Sequence, residues 1–357
     1  MTVPIPRSVE DYERLAEERL EPGAWAYLAG GSGGEWTLGE NRRAFERWTF
    51  RPRVLCDVTE ISTATSVLGM PLALPVVVAP VAYQQLYDPE GECATARAAA
   101  EVGAGMAVST FSTRSHEAIA AAAPGLAQWC QLYVFQDRSV TREHLAGAAE
   151  AGCSAVVLTV DTPRLAQRER DLRAGFEIPS DLPLPYARAA IGSEAQNPAD
   201  QFALLDASVS WRDLEWIASE ARLPVVLKGI VTAEDAEIAV GHGAAAIVVS
   251  NHGGRQLDGV PATLDALPEV VEAVAGRAEI YLDGGIRRGA DIAKALALGA
   301  RAVLAGRAPV FGLAAAGEDG VRHVLELLRD ELALALCLLG CTSPTELSRT
   351  HVQRSGV

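Results

Sequence analysis

His252 and Arg255 stand three residues apart in the run Ser250-Asn251-His252-Gly253-Gly254-Arg255-Gln256-Leu257-Asp258-Gly259, a base and a cation separated by two glycines. A histidine can take up a proton near neutral pH, and an arginine can hold a carboxylate through two parallel hydrogen bonds. Together they suit proton abstraction from a carboxylate-bearing substrate. Taken alone, a His-x-x-Arg sequence reads more readily as a surface turn, so the elements around it must decide.

The preceding run, Ala244 to Val249, is short, apolar and β-branched, as a strand covered on both faces of a parallel sheet would be. His252 and Arg255 then lie just past that strand's carboxyl end, where glycine permits a tight turn. Eight such runs can be read: Leu74–Ala79, Gly105–Ser109, Gln128–Tyr133, Ala155–Val160, Pro224–Leu227, Ala246–Val249, Ile280–Leu282 and Ala302–Ala305. Amphipathic helical stretches lie between them, among them Glu92–Val102, Arg142–Ala151, Ala233–Gly241, Ala290–Leu298 and Gly320–Leu338. Eight βα units predict an α/β fold, a closed (β/α)8 TIM barrel.

The chain reads as one domain over residues 1–357: an N-terminal helical cap (1–73), the barrel (74–340) and a C-terminal tail (341–357). The cap has helical patterns near Val9–Glu21, Ala24–Ala29 and Glu40–Arg47. After strand four comes a long connection, Arg164 to Trp211, with the Pro-rich stretch Ile178 to Pro185. A connection of that length inside a barrel reads as a functional lid, residues 165–210.

Hydrophobic residues make up 49% and charged residues 22%, a globular balance, and the formal net charge of -15 argues against nucleic acid and anionic membrane surfaces. No apolar run reaches the ~20 residues of a membrane span, and no targeting segment is visible, so a cytoplasmic protein is expected. The six cysteines, Cys56, Cys93, Cys130, Cys153, Cys337 and Cys341, lack metal-ligand spacing and read as reduced core residues, with no metal expected.

Barrel enzymes build their sites at the carboxyl ends of the strands, and phosphate is commonly held by the loops after strands seven and eight. Those loops are Asp283-Gly284-Gly285-Ile286-Arg287-Arg288-Gly289 and Gly306-Arg307. Glycine backbone, a following helix N-terminus and arginine all favour an anion there. The other strand ends supply Pro80, Val81 and Ala82, then Ser109, Gln131 with Tyr133, Thr159 with Asp161, and Lys228. Gln131 and Thr159 can bond the edge of a flat heteroaromatic cofactor. Lys228 is one of only two lysines and follows a buried run, so it requires an anion. Two partners fit: the negative charge near N1 of a reduced flavin, or a carboxylate such as Asp283.

These residues bring the chain into register with a family. It resembles the FMN-dependent α-hydroxy-acid oxidases and dehydrogenases, such as glycolate oxidase, over nearly its whole length. The resemblance is carried by Trp36-Thr37-Leu38 with Glu40-Asn41-Arg42, Pro89 to Glu92, Gln131-Leu132-Tyr133, Leu158 to Leu165, Ser250 to Asp258 and Asp283 to Gly289. Among subgroups the chain looks most like the 4-hydroxymandelate oxidases that serve arylglycine synthesis for glycopeptide antibiotics. The resemblance implies an FMN whose phosphate meets Gly285, Arg287, Gly306 and Arg307, and whose ring meets Pro80, Val81, Ala82, Ser109, Gln131, Thr159, Lys228 and Ser250. It implies His252 as base, Asp161 stabilising its protonated form, Arg255 and Arg168 clamping the carboxylate, Tyr27 adding a hydrogen bond, and Tyr133 facing the substrate hydroxyl. Of the neighbours Arg164, Arg168 and Arg170, only the family's spacing selects Arg168.

The chain departs from the family at Ala166-Gln167, which replace a glycine and a basic residue, and at Phe111, where glycolate oxidase has tryptophan. With Tyr83 and Leu86, Phe111 can either shape a pocket for an aromatic side chain or serve as plain wall. The expected reaction is oxidation of an (S)-2-hydroxy acid, mandelate or 4-hydroxymandelate, to the 2-oxo acid, with O2 reduced to hydrogen peroxide. Family relatives imply a homotetramer. The rivals are a same-family dehydrogenase with a quinone or protein acceptor, and a non-redox barrel enzyme acting on a phosphorylated metabolite.

Overall fold

The computed structural model describes residues 6–187 and 197–355. Eight parallel strands close into a barrel, labelled β1 Val76–Val78, β2 Gly105–Val108, β3 Gln128–Leu132, β4 Ala155–Thr159, β5 Val225–Ile230, β6 Ala246–Val249, β7 Glu279–Asp283 and β8 Ala302–Ala305. Each pairs with its sequence neighbour, and β8 closes on β1 through Val303 opposite Val76 and Leu304 opposite Val77. The fold is the (β/α)8 barrel that the eight apolar runs predict.

Side chains alternate across a strand, so each strand splits its residues between two cores. Val77, Ala107, Trp129, Val157, Val226, Val248, Tyr281 and Leu304 point into the barrel, while Val76, Met106, Leu132, Val156, Leu227, Ile247, Leu282 and Val303 pack outward under the helices. The inner column is plugged below by an antiparallel hairpin, Thr65–Val67 with Met70–Leu72, whose Val67 and Leu72 join the inner core. One step further along the same inward parity lie Ala79, Ser109, Gln131, Thr159, Lys228, Ser250, Asp283 and Gly306, one residue per strand. Period-two geometry thus gathers the chain's polar strand ends at one mouth.

The cap helices are Val9–Arg19, Pro22–Ala29 and Trp36–Glu46. The third is tied to the segment that follows β6: Asp258 accepts the backbone N–H groups of Gly34, Trp36 and Thr37, and Asn41 and Asn251 exchange two amide hydrogen bonds of 2.8 Å. Asp258 therefore caps a helix start that no local side chain caps, and it draws the cap over the mouth. After β8 a helical segment runs from Arg307 to Leu339, beginning well before the expected Gly320, with a break at Ala316 and Gly317. A short sheet, Trp48–Phe50 with Val352–Arg354, fastens the end of the cap to the tail. No helix among the described residues is long and apolar enough to cross a membrane.

The cysteines correct one expectation. All six are free, but only Cys130, Cys153 and Cys341 are buried; Cys56 is exposed, and Cys93 and Cys337 are partly so. Cys130 and Cys153 belong to a network behind β3. Gln128 Nε2 lies 3.1 Å from His116 Nδ1, His116 Nε2 lies 3.2 Å from His144 Nε2, and Cys130 Sγ lies 3.4 Å from the same nitrogen. With Gln128 donating to Nδ1, the His116 proton sits on Nε2 and is given to His144. The ligand atoms of His116, Cys130 and His144 thus lie within 4.8 Å of one another in one buried cluster, a grouping that the spacing of the cysteines does not show.

Burial pushes His116 down to about 4 from an ordinary 6.5, and it pushes His144 down as well. The unfolded chain therefore binds protons between those values that the folded chain refuses. Stability is fully present above pH 6.5 and is lost as pH falls toward 4, by roughly 2 kcal/mol at pH 5 from His116 alone. Denaturant unfolding at pH 7 and pH 5 should show that difference, and a His116→Leu/His144→Leu variant should have a flatter profile. Equal slopes would contradict it.

Candidate active site

The mouth of the barrel opens into a cavity that is continuous with solvent. It is lined by Tyr27, Pro80, Val81, Ala82, Ser109, Gln131, Tyr133, Thr159, Arg168, Lys228, His252, Arg255, Asp283 to Arg287, Gly306 and Arg307. Nearly every residue singled out in the sequence meets there. Ser250 and Asp161 stand behind that lining and hold residues that face it.

His252 has a left-handed backbone, φ 58°, uncommon for a residue with a side chain and found where the surroundings impose it. Its Nδ1 lies 2.8 Å from Asp161 Oδ1, and Thr162 Oγ1 donates to the same carboxylate oxygen at 2.9 Å. With its proton engaged by Asp161, Nδ1 leaves Nε2 as the nitrogen with a free lone pair. Burial depresses His252 below 6.5; Asp161 opposes that effect and the Lys228 charge adds to it. Burial raises Asp161, but the facing His252 and Lys228 outweigh it and hold the carboxyl below its ordinary value. The pair is a neutral base backed by a carboxylate, suited to accept one proton and stabilise the resulting cation.

Asp161 can occupy this place because β5 bulges between Lys228 and Ile230. Gly229 at the bulge has φ +120°, and a Cβ there would come within 2.7 Å of Asp161 Cβ. Gly229→Ala should therefore push Asp161 away from His252, lowering substrate-driven reduction about 10²-fold with FMN content unchanged. A rate within twofold of wild type would show that the close approach does not matter.

Lys228 lies inside β5, not after it, because the strand runs past the expected Leu227 to Ile230. Of the two partners left open by the sequence, Asp283 is present: Nζ is 3.0 Å from its Oδ2 and 2.9 Å from Ser250 Oγ. Burial opposes the charge, but Asp283 and Asp161 more than offset that, so Lys228 stays protonated. Ser250, expected along the ring, joins this pair: its hydroxyl accepts from Lys228 and donates to Asp283. Gln131 presents an ordered amide: Oε1 accepts from Thr110 N–H at 3.0 Å and Nε2 donates to Thr159 Oγ1 at 3.1 Å.

Four arginines face this space. Among the described residues Arg307 donates only to the backbone carbonyls of Leu28, Gly253 and Gly30, and burial near Arg255 and Arg287 pushes its pKa down. Among the described residues the ion-pair partner of Arg287 is Glu13, at 3.8 Å. Beside them Gly285 has φ +84°, and a Cβ there would meet Asn41 O at 2.3 Å, so only glycine fits. Cations this poorly compensated beside bare backbone fit a phosphate. The helix after β7 contributes differently from the expectation: Asp291 Oδ2 accepts the N–H groups of Arg287 and Arg288, at 2.9 and 3.0 Å, and so occupies that terminus. Asp291 escaped the sequence reading, although an acidic residue in a first turn is a capping signal.

Arg168 and Arg255 sit over the Tyr27 ring, with 5.7 and 4.8 Å from guanidinium carbon to ring centre. Arg168 Nη1 is buried without a hydrogen-bond partner among the described residues, and its nearest carboxylate, Asp171, is 4.0 Å away. Burial and the Arg255 charge lower its pKa, a second sign of an unmet anion. Arg164 is exposed, and Arg170 pairs with Glu35, so Arg168 alone of the three enters the cavity. Around these cations lies an aromatic wall of Phe111, Tyr133 and Phe202, with ring centres 5.1 to 5.8 Å apart. Phe202 comes from the lid and, like Phe176 stacked 4.7 Å from Tyr27, was not anticipated. Neither has a local signal, because an irregular connection has no periodicity to say which residue turns inward. Part of the expected lid, residues 188–196, lies outside the described residues.

Comparison with known proteins places this geometry. Residues 16–354 match the family model for FMN-dependent dehydrogenases. The chain is 47% identical over 352 residues to glycolate oxidase 3 of Arabidopsis thaliana and to glycolate oxidase of Spinacia oleracea, covering 97% of this chain and 95% of each relative. Among solved structures, mandelate oxidase with (S)-4-hydroxymandelic acid has a TM-score of 0.94 and 44% identity, covering 99% of this chain and 100% of that one. Mandelate oxidase with benzoyl-formic acid has a TM-score of 0.89 at 44% identity, with the same coverage. A cavity holding unmet cations for a phosphate at one end and for a carboxylate at the other agrees with these matches: the chain belongs to the FMN-dependent 2-hydroxy-acid oxidase family.

Proposed function

We propose that the protein oxidises an aryl (S)-2-hydroxy acid, mandelate or 4-hydroxymandelate, to the 2-oxo acid, with O2 accepting the electrons to give hydrogen peroxide. The observation that carries this reading is the aromatic wall of Phe111, Tyr133 and Phe202 beside two carboxylate-seeking arginines. A ring gains from edge and face contacts with such a wall, whereas a methyl or hydrogen leaves it unfilled. The solved mandelate oxidase with (S)-4-hydroxymandelic acid supports the same reading.

In this proposal Arg168 and Arg255 take the substrate carboxylate and fix the α-carbon over the base. His252 Nε2 receives the proton that leaves the substrate, and Asp161 stabilises the cation formed. The Tyr133 phenol, whose pKa is raised by burial, keeps its proton and donates toward the substrate hydroxyl. Gly285, Arg287, Gly306 and Arg307 would hold the FMN phosphate, with Gln131, Thr159 and Lys228 along the ring. FMN, when bound, supplies the two-electron acceptor.

Steady-state oxygen uptake with peroxide detection tests the reading across 4-hydroxymandelate, mandelate, lactate and glycolate. The mandelates should give the highest kcat/KM, with one peroxide per O2 consumed. Glycolate preferred over both mandelates would overturn the aryl assignment, and slow O2 consumption despite rapid flavin reduction would point to another acceptor.

A further inference from the structure

We infer that Phe202 determines specificity for the substrate side chain and that a hydrogen bond between Tyr83 and Gln201 positions it, so the lid, as well as the barrel, selects the substrate. This rests on the aryl hydroxy-acid reading above. Phe202 ends the short helix Pro198–Phe202, is nearly buried, and lines the cavity beside Phe111 and Tyr133. Its ring centre lies 5.1 Å from Phe111, tilted, and 5.4 Å from Tyr133, edge-on, which are favourable aromatic arrangements. Phe111 and Tyr133 belong to the barrel mouth, whereas Phe202 arrives from a connection that can vary without disturbing it.

The returning end of the lid is held by Gln136 Nε2, which donates to Ala203 O at 2.9 Å and Leu205 O at 3.3 Å, and by an antiparallel bridge of Phe135 with Leu205, in which Gln136 N–H donates to Leu204 O at 3.0 Å and Asp206 N–H to Val134 O at 2.8 Å. These fix the backbone just past Phe202. The residue before it is held by Tyr83, whose hydroxyl donates to Gln201 Oε1 at 2.6 Å. Tyr83 is fully buried in a left-handed conformation, φ 60°, and its N–H donates to Phe111 O at 3.0 Å. A bulky residue keeps that backbone only where its surroundings impose it. Tyr83 therefore links the loop after β1, the Phe111 backbone and the lid helix, with its own ring 6.0 Å from Phe111. It does not line the cavity and would act through Phe202.

The test is anaerobic flavin reduction by (S)-mandelate and (S)-lactate in the FMN-loaded enzyme, with Phe202→Ala and Tyr83→Phe variants. Phe202→Ala should lower the ratio of mandelate to lactate specificity constants about tenfold or more. Tyr83→Phe should raise the half-saturation for mandelate severalfold with little change in its limiting reduction rate, as expected of a residue that places a wall instead of a reacting group. FMN content reports folding, and Phe202→Tyr, which retains the ring, should preserve most of the ratio. A ratio unchanged in Phe202→Ala, or a Tyr83→Phe effect on the limiting rate alone, would overturn the inference. A wild-type enzyme that mandelate does not reduce would instead sink the aryl reading itself.

Discussion

Replacing His252 with alanine is expected to leave FMN bound and to lower anaerobic flavin reduction by a 2-hydroxy acid about 10²–10⁴-fold, the usual contribution of a positioned general base. FMN retention follows because the phosphate-facing groups, Gly285, Arg287 and Arg307, come from other strands and loops. The loss follows because among the cavity-lining groups His252 alone has a carboxylate behind one nitrogen and a free lone pair on the other. Its pKa is held below 6.5 by burial, so in wild type the reduction rate should be flat at neutral pH and fall on the acid side as His252 gains its proton. That acid limb should vanish in His252→Ala. Stopped-flow absorbance across pH measures both effects, and an unchanged rate would remove His252 from the chemistry.

The second large effect is expected at Arg168. Removing one partner from a buried charged contact commonly costs several kcal/mol, so Arg168→Leu should lower kcat/KM at least about 10²-fold. Arg168→Lys should recover little, because an ammonium cannot reproduce the planar two-point grip on a carboxylate. The Arg168 Nη1 gives the reason: that nitrogen has no hydrogen-bond partner among the described residues, and Asp171 is 4.0 Å away. If Arg168→Lys restores full activity, a general positive field suffices and the two-point grip is wrong.

The barrel was legible because strands buried on both faces read as short apolar runs, and β6 and β8 fall where those runs do. Strand β5 was not fully legible, since Lys228 and Gly229 break the apolar pattern although the backbone continues as a bulged strand. The hairpin that plugs the barrel was missed for a related reason: its strands are three residues each, too short for alternation to register. At the mouth, residues fixed to strand ends were readable from parity, as with Gln131, Thr159 and Asp283. The partners made by distant segments were not, and Asp258 capping the Trp36 helix, Asp291 accepting Arg287 N–H and Tyr83 holding Gln201 are examples. Each depends on two chain segments meeting, which neither segment encodes alone.

The lid shows the same division. Its length and proline content predict that something covers the mouth, but only its packing brings Phe176 onto Tyr27 and Phe202 onto Phe111. Arg168 lies at its start, so the carboxylate grip and the aromatic wall are borne partly on one connection. A substitution there can therefore alter binding and specificity together.

The most direct test of the central claim is a single anaerobic mixing experiment, following oxidised flavin absorbance after addition of (S)-mandelate or glycolate to the FMN-loaded protein. Rapid bleaching by (S)-mandelate at concentrations where glycolate acts slowly is the predicted result. Rapid bleaching by glycolate with none by mandelate would contradict the account.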